Sequence, residues 1–460
     1  MLTEKLHWMK DSDNIADEIR QCKGEGRQIE DLLPACDAVL KMGDSPEKEK
    51  RAAELLLEME GRPVAPDFPY DEPESYEDIQ KTLKGKTICR PLPEERRFAA
   101  IKGAWTGRAA GCLLGIPVEG WPRKKIRDFL NESGQYPLRK FMSSDVPPEI
   151  RDKFGIYDID EGMSYDRQKI CWINNMDSYP VDDDMNYTML SLRVTERCGV
   201  DFSAEDVAES WLLGFPALHA CTAERVAYRN LMHRILPPYS GIHLNPFREW
   251  IGAQIRVDFY GYIAAGNPAL AAKMAYRDAS VAQSKNGIYA AMYIAALIAS
   301  AAVIPDYAGA VREALKQVPP ESRLYCAIED MLSEYESGVA FGNVIDRVHA
   351  KYDEKKPFDW CLAIPNALIV TACALYFGNN YTDAISNAVL SGFDTDCNGA
   401  TVGSIVALSL GIDRIEPVWK TSIGPVLNST VCGYTKMPVD EAVERTLKIM
   451  SRIDRQNASG

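Results

Sequence analysis

Residues 103–120 read GAWTGRAAGCLLGIPVEG, and this stretch decides the fold. Gly103, Gly107, Gly111 and Gly115 recur every four residues. At 3.6 residues per turn that spacing keeps them on one helix face, where a second backbone can come close. Pro117 follows the last glycine and stops the helix, because proline lacks the amide that a helix interior needs. Glu119 lies just past the stop. Taken alone, such a helix is a packing element, since small-residue faces serve close packing far more often than chemistry.

Outward from this helix the pattern stays helical. From Pro93 to the end, apolar and small residues fall at helical spacing, and alternating β-branched runs are few. Helices are predicted over 94–115, 184–198, 204–214, 222–234, 248–263, 268–281, 285–304, 307–317, 321–337, 342–351, 363–377, 381–391, 397–410 and 438–452. So many helices without a fixed-period repeat predict an all-α, compact, orthogonal multi-helix body rather than a four-helix bundle or a solenoid. On the N-terminal side, IADEIRQC, IEDLLPACDAVLKMG and PEKEKRAAELLLEME are helical. Ser45 reads as a helix cap with Pro46 at the first helical position. GRPVAPDFPYDEPES, residues 61–75, is an extended linker rich in proline and acids, and a short helix follows over 76–83. The expected division is therefore a helical N-terminal extension and linker, residues 1–90, and a main domain, residues 91–460.

The bulk numbers narrow the function. The chain has 460 residues, 46% of them hydrophobic, enough for a large core. The net charge is -14, so neither a nucleic acid backbone nor an anionic membrane is an expected partner. Residues 287–304 carry no charge but are dominated by alanine, which predicts a buried helix rather than a membrane span. The N-terminus has no apolar signal region. The twelve cysteines are scattered with no CxxC pair, which predicts free thiols in a cytoplasmic, reducing compartment. The histidines are five and far apart, so a histidine-built zinc site is not expected. The oligomeric state is not legible.

Two acidic motifs carry the chemistry. Asp182, Asp183 and Asp184 precede the helix MNYTMLSLRVTERCG. Three adjacent carboxylates repel unless a cation neutralises them, although a helix N-terminus also favours acids for ordinary capping reasons. Residues 392–401, GFDTDCNGAT, also open a helix. Asp394 and Asp396 are two apart, so a loop can aim both at one ion. Hard oxygen ligands without histidine favour Mg²⁺, Mn²⁺ or Ca²⁺ over zinc. Asp394-Thr395-Asp396 also matches the DxD of haloacid-dehalogenase-type phosphatases, but that motif follows a buried strand and here the surroundings are helical.

The Gly-rich helix ending in PxE, the acidic triplet and the GxDTDxN loop, in that order, resemble the ADP-ribosylglycohydrolase family. The resemblance spans about residues 96–455. It implies an all-α ADP-ribosylglycohydrolase-like fold with two Mg²⁺ ions (Mn²⁺ being possible) in a central cleft. It also implies a small-molecule or protein-attached ADP-ribosyl or ribosyl substrate, cut at the anomeric carbon. The implied metal ligands are Asp182, Asp183, Asp184, Asp394, Asp396 and, in place of a threonine, Cys397; a thiol is a poor Mg²⁺ ligand. Glu119 matches the family's glutamate at the mouth of the site. Glu119, Asp183 and Asp184 are the candidate catalytic groups, any of which could take the proton of an attacking water. Gly252, Gln254 and Arg256 match the segment that lines the phosphate and ribose side, and Gln283 stands at a position often held by histidine. Arg108 departs from the family's Gly-Asp-Ala. Arg248 is a further candidate phosphate partner, and Trp250, Tyr260 and Tyr289 are candidate base-stacking groups. Two other readings stay open: hydrolysis of a nucleoside or other riboside, and ADP-ribose binding without catalysis on the same fold.

Overall fold

The structure is a computed structural model that describes residue 6, residues 8–156 and residues 171–459. Helices α1 (Asp11–Gly24), α2 (Leu33–Leu40) and α3 (Pro46–Glu60) close around a small core of their own, including Ile15, Cys22, Cys36, Leu56 and Met59. The Ser45 hydroxyl caps α3 by accepting the Lys48 amide at 3.2 Å, with Pro46 at the first helical position, as the sequence predicts. Residues 61–75 are not helical, but they are not loose either. Glu72 accepts from Arg323 Nε at 2.8 Å and from Asn286 Nδ2 at 2.7 Å.

The main body is built on α4 (Glu94–Gly115), followed in chain order by α5 (Asp183–Cys198), α6 (Thr222–Met232), α7 (Gly252–Arg256), α8 (Lys285–Ala301), α9 (Ala363–Phe377), α10 (Thr395–Leu410) and α11 (Val439–Ser459), with further helices between. The glycine stripe does what its spacing predicts. α4 lies antiparallel against α10, and a Cβ on Gly111 would stand 2.0 Å from the Gly399 carbonyl oxygen. Only glycine permits that approach. On its other side α4 buries Trp105, whose indole N–H donates to Thr446 Oγ1 of α11 at 3.0 Å. Every residue of α8 is buried, and among the described residues no helix is long and apolar enough to cross a membrane.

The structure departs from the predicted elements in several places. The helix expected over 248–263 is two short helices, Gly252–Arg256 and Asp258–Ile263. The segment before them pairs elsewhere: the Ile251 amide donates to Cys361 O at 2.8 Å and the Ala363 amide to Glu249 O at 3.0 Å. Those tertiary bonds outweigh helical propensity. Helices Arg123–Glu132 and Pro148–Phe154 were not anticipated. A small sheet also forms, with β1 (Ser178–Tyr179) parallel to β2 (Gly424–Asn428) and β2 antiparallel to β3 (Lys436–Pro438). It matters because β1 leads directly into the acidic triplet.

Candidate active site

The acidic triplet folds as a helix cap. Asp182 is extended and its carboxylate accepts the Asp184 amide at 3.0 Å, starting α5. Asp184 turns inward, where Arg108 Nη2 donates to its Oδ1 at 2.9 Å and Arg108 Nε to Thr188 Oγ1 at 2.7 Å. Arg108 also pairs with Asp258, and all three side chains are fully buried. The departure at position 108 therefore supplies an internal counter-charge within the fold.

The second loop is shaped by two successive left-handed residues, Gly392 (φ 74°) and Phe393 (φ 58°), which turn the chain so that Asp394 starts α10. A phenylalanine in that region is strained, and such strain persists only where the surroundings fix it. Here Phe393 is buried against the His349 ring, centroids 4.9 Å apart. Asn366 accepts from the Asp394 amide at 3.3 Å and from Asn398 Nδ2 at 2.7 Å. Thr395 Oγ1 donates to the Gly115 carbonyl at 3.0 Å, and a Cβ on Gly115 would lie 2.3 Å from the Asp396 amide. The bare end of α4 thus sets the position of the second loop.

These loops converge. Asp183, Asp184, Asp396 and Cys397 offer ligand atoms within 4.8 Å of one another, as do Glu119, Asp394 and Asp396, and also Cys112, Asp182 and Asp184. Burial pushes the Asp183 carboxyl well above the ordinary carboxylate range, and Asp182, Asp184, Glu119 and Asp394 push the same way. Burial does the same to Asp396, reinforced by Glu119 and Asp394. Asp184 Oδ2, Asp394 Oδ1 and Asp396 Oδ1 are buried without a hydrogen-bond partner among the described residues. Desolvated, crowded and orphaned carboxylate oxygens suit a hard divalent cation, which would relieve all three costs together. Cys397 fits less well. Burial, and then Asp184 and Asp394, push its thiol pKa well above the usual range, which disfavours the thiolate that a metal would bind.

A cavity of about 410 Å³ opens over this cluster. Glu119, Asp182, Asp183, Asp394 and Cys397 border it, as does Gly252. The other expected substrate residues do not. Gln254 is buried, with both amide atoms unpartnered among the described residues, and it does not border the cavity. Arg256 is fully buried in ion pairs with Glu224 and Asp278, and Gln283 donates to Glu224 Oε1 at 2.7 Å. Both therefore hold Glu224, which does border the cavity. Arg248 is spent on Glu18 and Glu25 of the extension. Of the three candidate aromatic residues only Trp250 reaches the cavity. Tyr260 donates to Asp278 Oδ2 at 2.9 Å and Tyr289 to the Pro73 carbonyl. Sequence reasoning missed Trp8, Tyr187, Glu224 and Trp360 on the cavity wall. Tyr187 carried a signal, because it lies four residues after Asp183 and so on the same helix face. Trp8 and Trp360 carried none.

The molecule is thus a helical body whose carboxylate-floored cavity is bordered by α5, α6, α7 and the start of α10. The family model of ADP-ribosylglycohydrolase matches residues 93–448, and the chain belongs to that family. Among solved structures, one described as "ADP-ribosylglycohydrolase-related protein complex" is similar at 18% identity and a TM-score of 0.48, covering 78% of this chain and 99% of that one. No curated protein matches the chain. Helices α1 to α3 lie ahead of the matched region.

Proposed function

We propose that this chain is a divalent-metal-dependent hydrolase that cuts the bond at the anomeric carbon of an ADP-ribosyl or related ribosyl group. The observation that carries the reading is the set of buried carboxylate oxygens on Asp184, Asp394 and Asp396, unpartnered among the described residues, beneath a cavity bordered by Glu119 and Asp183. Asp182, Asp184, Asp394 and Asp396 would hold the cation, Mg²⁺ or Mn²⁺, with Asp183 or Glu119 completing its ligands. When bound, the metal would supply positive charge that orients the ribose hydroxyls and lowers the pKa of a water.

The protein groups divide the remaining work. Asp184 lies behind the cavity wall and is paired with Arg108, so it is a ligand rather than a proton acceptor. Asp183 and Glu119 border the cavity, so either is placed to take a proton from an attacking water. The carboxylates stabilise the positive charge that develops at the anomeric carbon. The apolar wall keeps bulk water away from it. A second reading, a nucleoside or other riboside as substrate, is favoured by one observation. Arg248 and Arg256, the expected phosphate partners, are committed to internal carboxylates. Gly252 would bring its backbone close to the substrate, whereas Gln254, Arg256 and Gln283 would act from behind the wall. The scattered thiols and the acidic surface suit a cytoplasmic enzyme.

Calorimetric titration of ADP-ribose into the metal-stripped protein, with and without Mg²⁺, tests this reading, followed by product analysis on ADP-ribosylated and simple riboside substrates. Metal-dependent binding and release of free ribosyl product are the expected results. Release of product at full rate in excess chelator would overturn the metal assignment.

A further inference from the structure

The extension ahead of the family-matched region contributes to the same cavity. Trp8 borders it together with Glu119, Asp183 and Asp394. We infer that Trp8 is a specificity-determining residue that stacks on the planar base or aglycone of the substrate, so that the N-terminal extension completes the substrate pocket. The inference rests on the ribosyl-hydrolase reading above.

Trp8 is held in place by several groups. The Arg225 guanidinium lies 5.1 Å from its ring centroid. Asn14 Nδ2 donates to the Trp8 carbonyl at 3.0 Å. Arg229 Nη1 donates to the next carbonyl, that of Met9, at 3.3 Å and to Asp11 Oδ1 at 2.6 Å. The backbone of Trp8 is left-handed (φ 69°), a conformation that costs energy for a bulky residue and persists where neighbours enforce it. Such positions concentrate at ligand clamps.

The extension also fixes a second part of the wall. Arg248 donates to Glu25 Oε1 and to Glu18 Oε2, each at 2.7 Å, and Gln21 Nε2 donates to Glu249 Oε2 at 2.7 Å. Arg248 and Glu249 immediately precede Trp250, Ile251 and Gly252, all of which border the cavity. One helix, α1, therefore anchors the Trp250 segment and carries Trp8 just ahead of its first turn. Trp8, Trp250, Trp360 and Tyr187 give the cavity an aromatic wall beside its carboxylate floor. Ribose hydroxyls suit the floor, and a planar ring suits the wall, because every base presents a π-face to an indole.

The test uses the full chain with Mg²⁺ and titrates three ligands by calorimetry: ribose 5-phosphate, adenosine and ADP-ribose. The variants are Trp8→Ala, Trp8→Phe and Trp8→Leu, each checked for an unchanged melting temperature. In Trp8→Ala, adenosine and ADP-ribose are expected to weaken by about tenfold or more, the scale of one base–aromatic stack. Ribose 5-phosphate should stay the same, and Trp8→Phe should recover most of the loss. If the alanine variant does not fold, the leucine and phenylalanine variants carry the same comparison, since only the second keeps a ring. Equal loss for all three ligands, no loss for the two base-bearing ones, or wild-type affinity for them no better than for ribose 5-phosphate would overturn the inference and leave the ribosyl reading standing. A wild-type protein that binds none of the three overturns both.

Discussion

At Asp183 and Asp396, burial and neighbouring carboxylates push in one direction, whereas at Asp184 the Arg108 guanidinium opposes them. A neutral amide at either position removes repulsion but, on the proposed reading, also removes a metal ligand. Asp183→Asn and Asp396→Asn should therefore melt at or above the wild-type temperature in chelator and gain little when Mg²⁺ is added. The wild type should gain about 2.7 kcal/mol at a hundred times its dissociation constant. Melting curves with and without metal read this directly, and an undiminished Mg²⁺ gain in both variants would remove these aspartates from the site. His349 is the residue through which pH should reach the second loop. Its Nε2 lies 2.8 Å from the Ser391 carbonyl, and burial lowers its pKa from 6.5. A histidine with a depressed native pKa binds its proton more readily when unfolded. Its contribution to stability is therefore full above about 6.5 and is lost as pH falls through that value towards the native one. Urea titrations at pH 7.5 and 5.5 should show a smaller drop for His349→Gln than for wild type; equal drops would assign the pH dependence elsewhere.

The helix pair α4 and α10 places the two acidic loops relative to each other, so a change in its spacing should be felt at the site. Gly111→Ala puts a methyl group against the Gly399 backbone, which has no side chain to move aside. The expected cost is about 1–3 kcal/mol or more, together with weaker Mg²⁺ stabilisation because Thr395 and Gly115 shift apart. Gly342→Ala serves as the control, since a Cβ there meets nothing within 4 Å. Equal melting temperatures for the two variants would contradict the close-packing account. The same pair shows what was legible beforehand. The four-residue glycine period and the Pro117 stop are local signals, and the predicted 94–115 helix has the observed bounds, as do 204–214 and 363–377. The segment 248–263 was misread because its backbone bonds go to residues 361–363, far away in sequence. Arg256 and Gln283 were placed on the substrate because a motif match shows which residues are near a site, not which way their side chains turn. Their carboxylate partners, Glu224 and Asp278, lie outside any motif. The carboxylates of the two loops could be read as a pair of motifs because they follow the Gly-rich helix in a set order; either loop alone reads equally well as a helix cap. Trp8 could not, because nothing local ties it to a loop hundreds of residues later.

For the whole molecule, the question is whether the extension is an appendage or part of one cooperative unit. Its small core is separate from the main one. Its charged groups, however, are paired across the boundary: Glu25 meets Arg248 and Lys285, Glu18 meets Arg248, and Glu72 meets Arg323. Burial acts against a charged Glu25, but Arg248, Lys285 and Arg27 outweigh it and hold the carboxyl well below the ordinary range. Stability from Glu25 is therefore full above about 4.5 and lost as pH falls towards the native value. Breaking a buried ion pair from one side leaves the partner charge uncompensated, at a cost of about 3–5 kcal/mol. Glu25→Ala should lose stability on that scale in a single urea transition that takes extension and body together. Tryptophan fluorescence and far-ultraviolet circular dichroism should then give one coincident midpoint, lower than wild type. A small loss, or an early step confined to part of the signal with the body unfolding at the wild-type midpoint, would mean that the extension folds as an independent appendage.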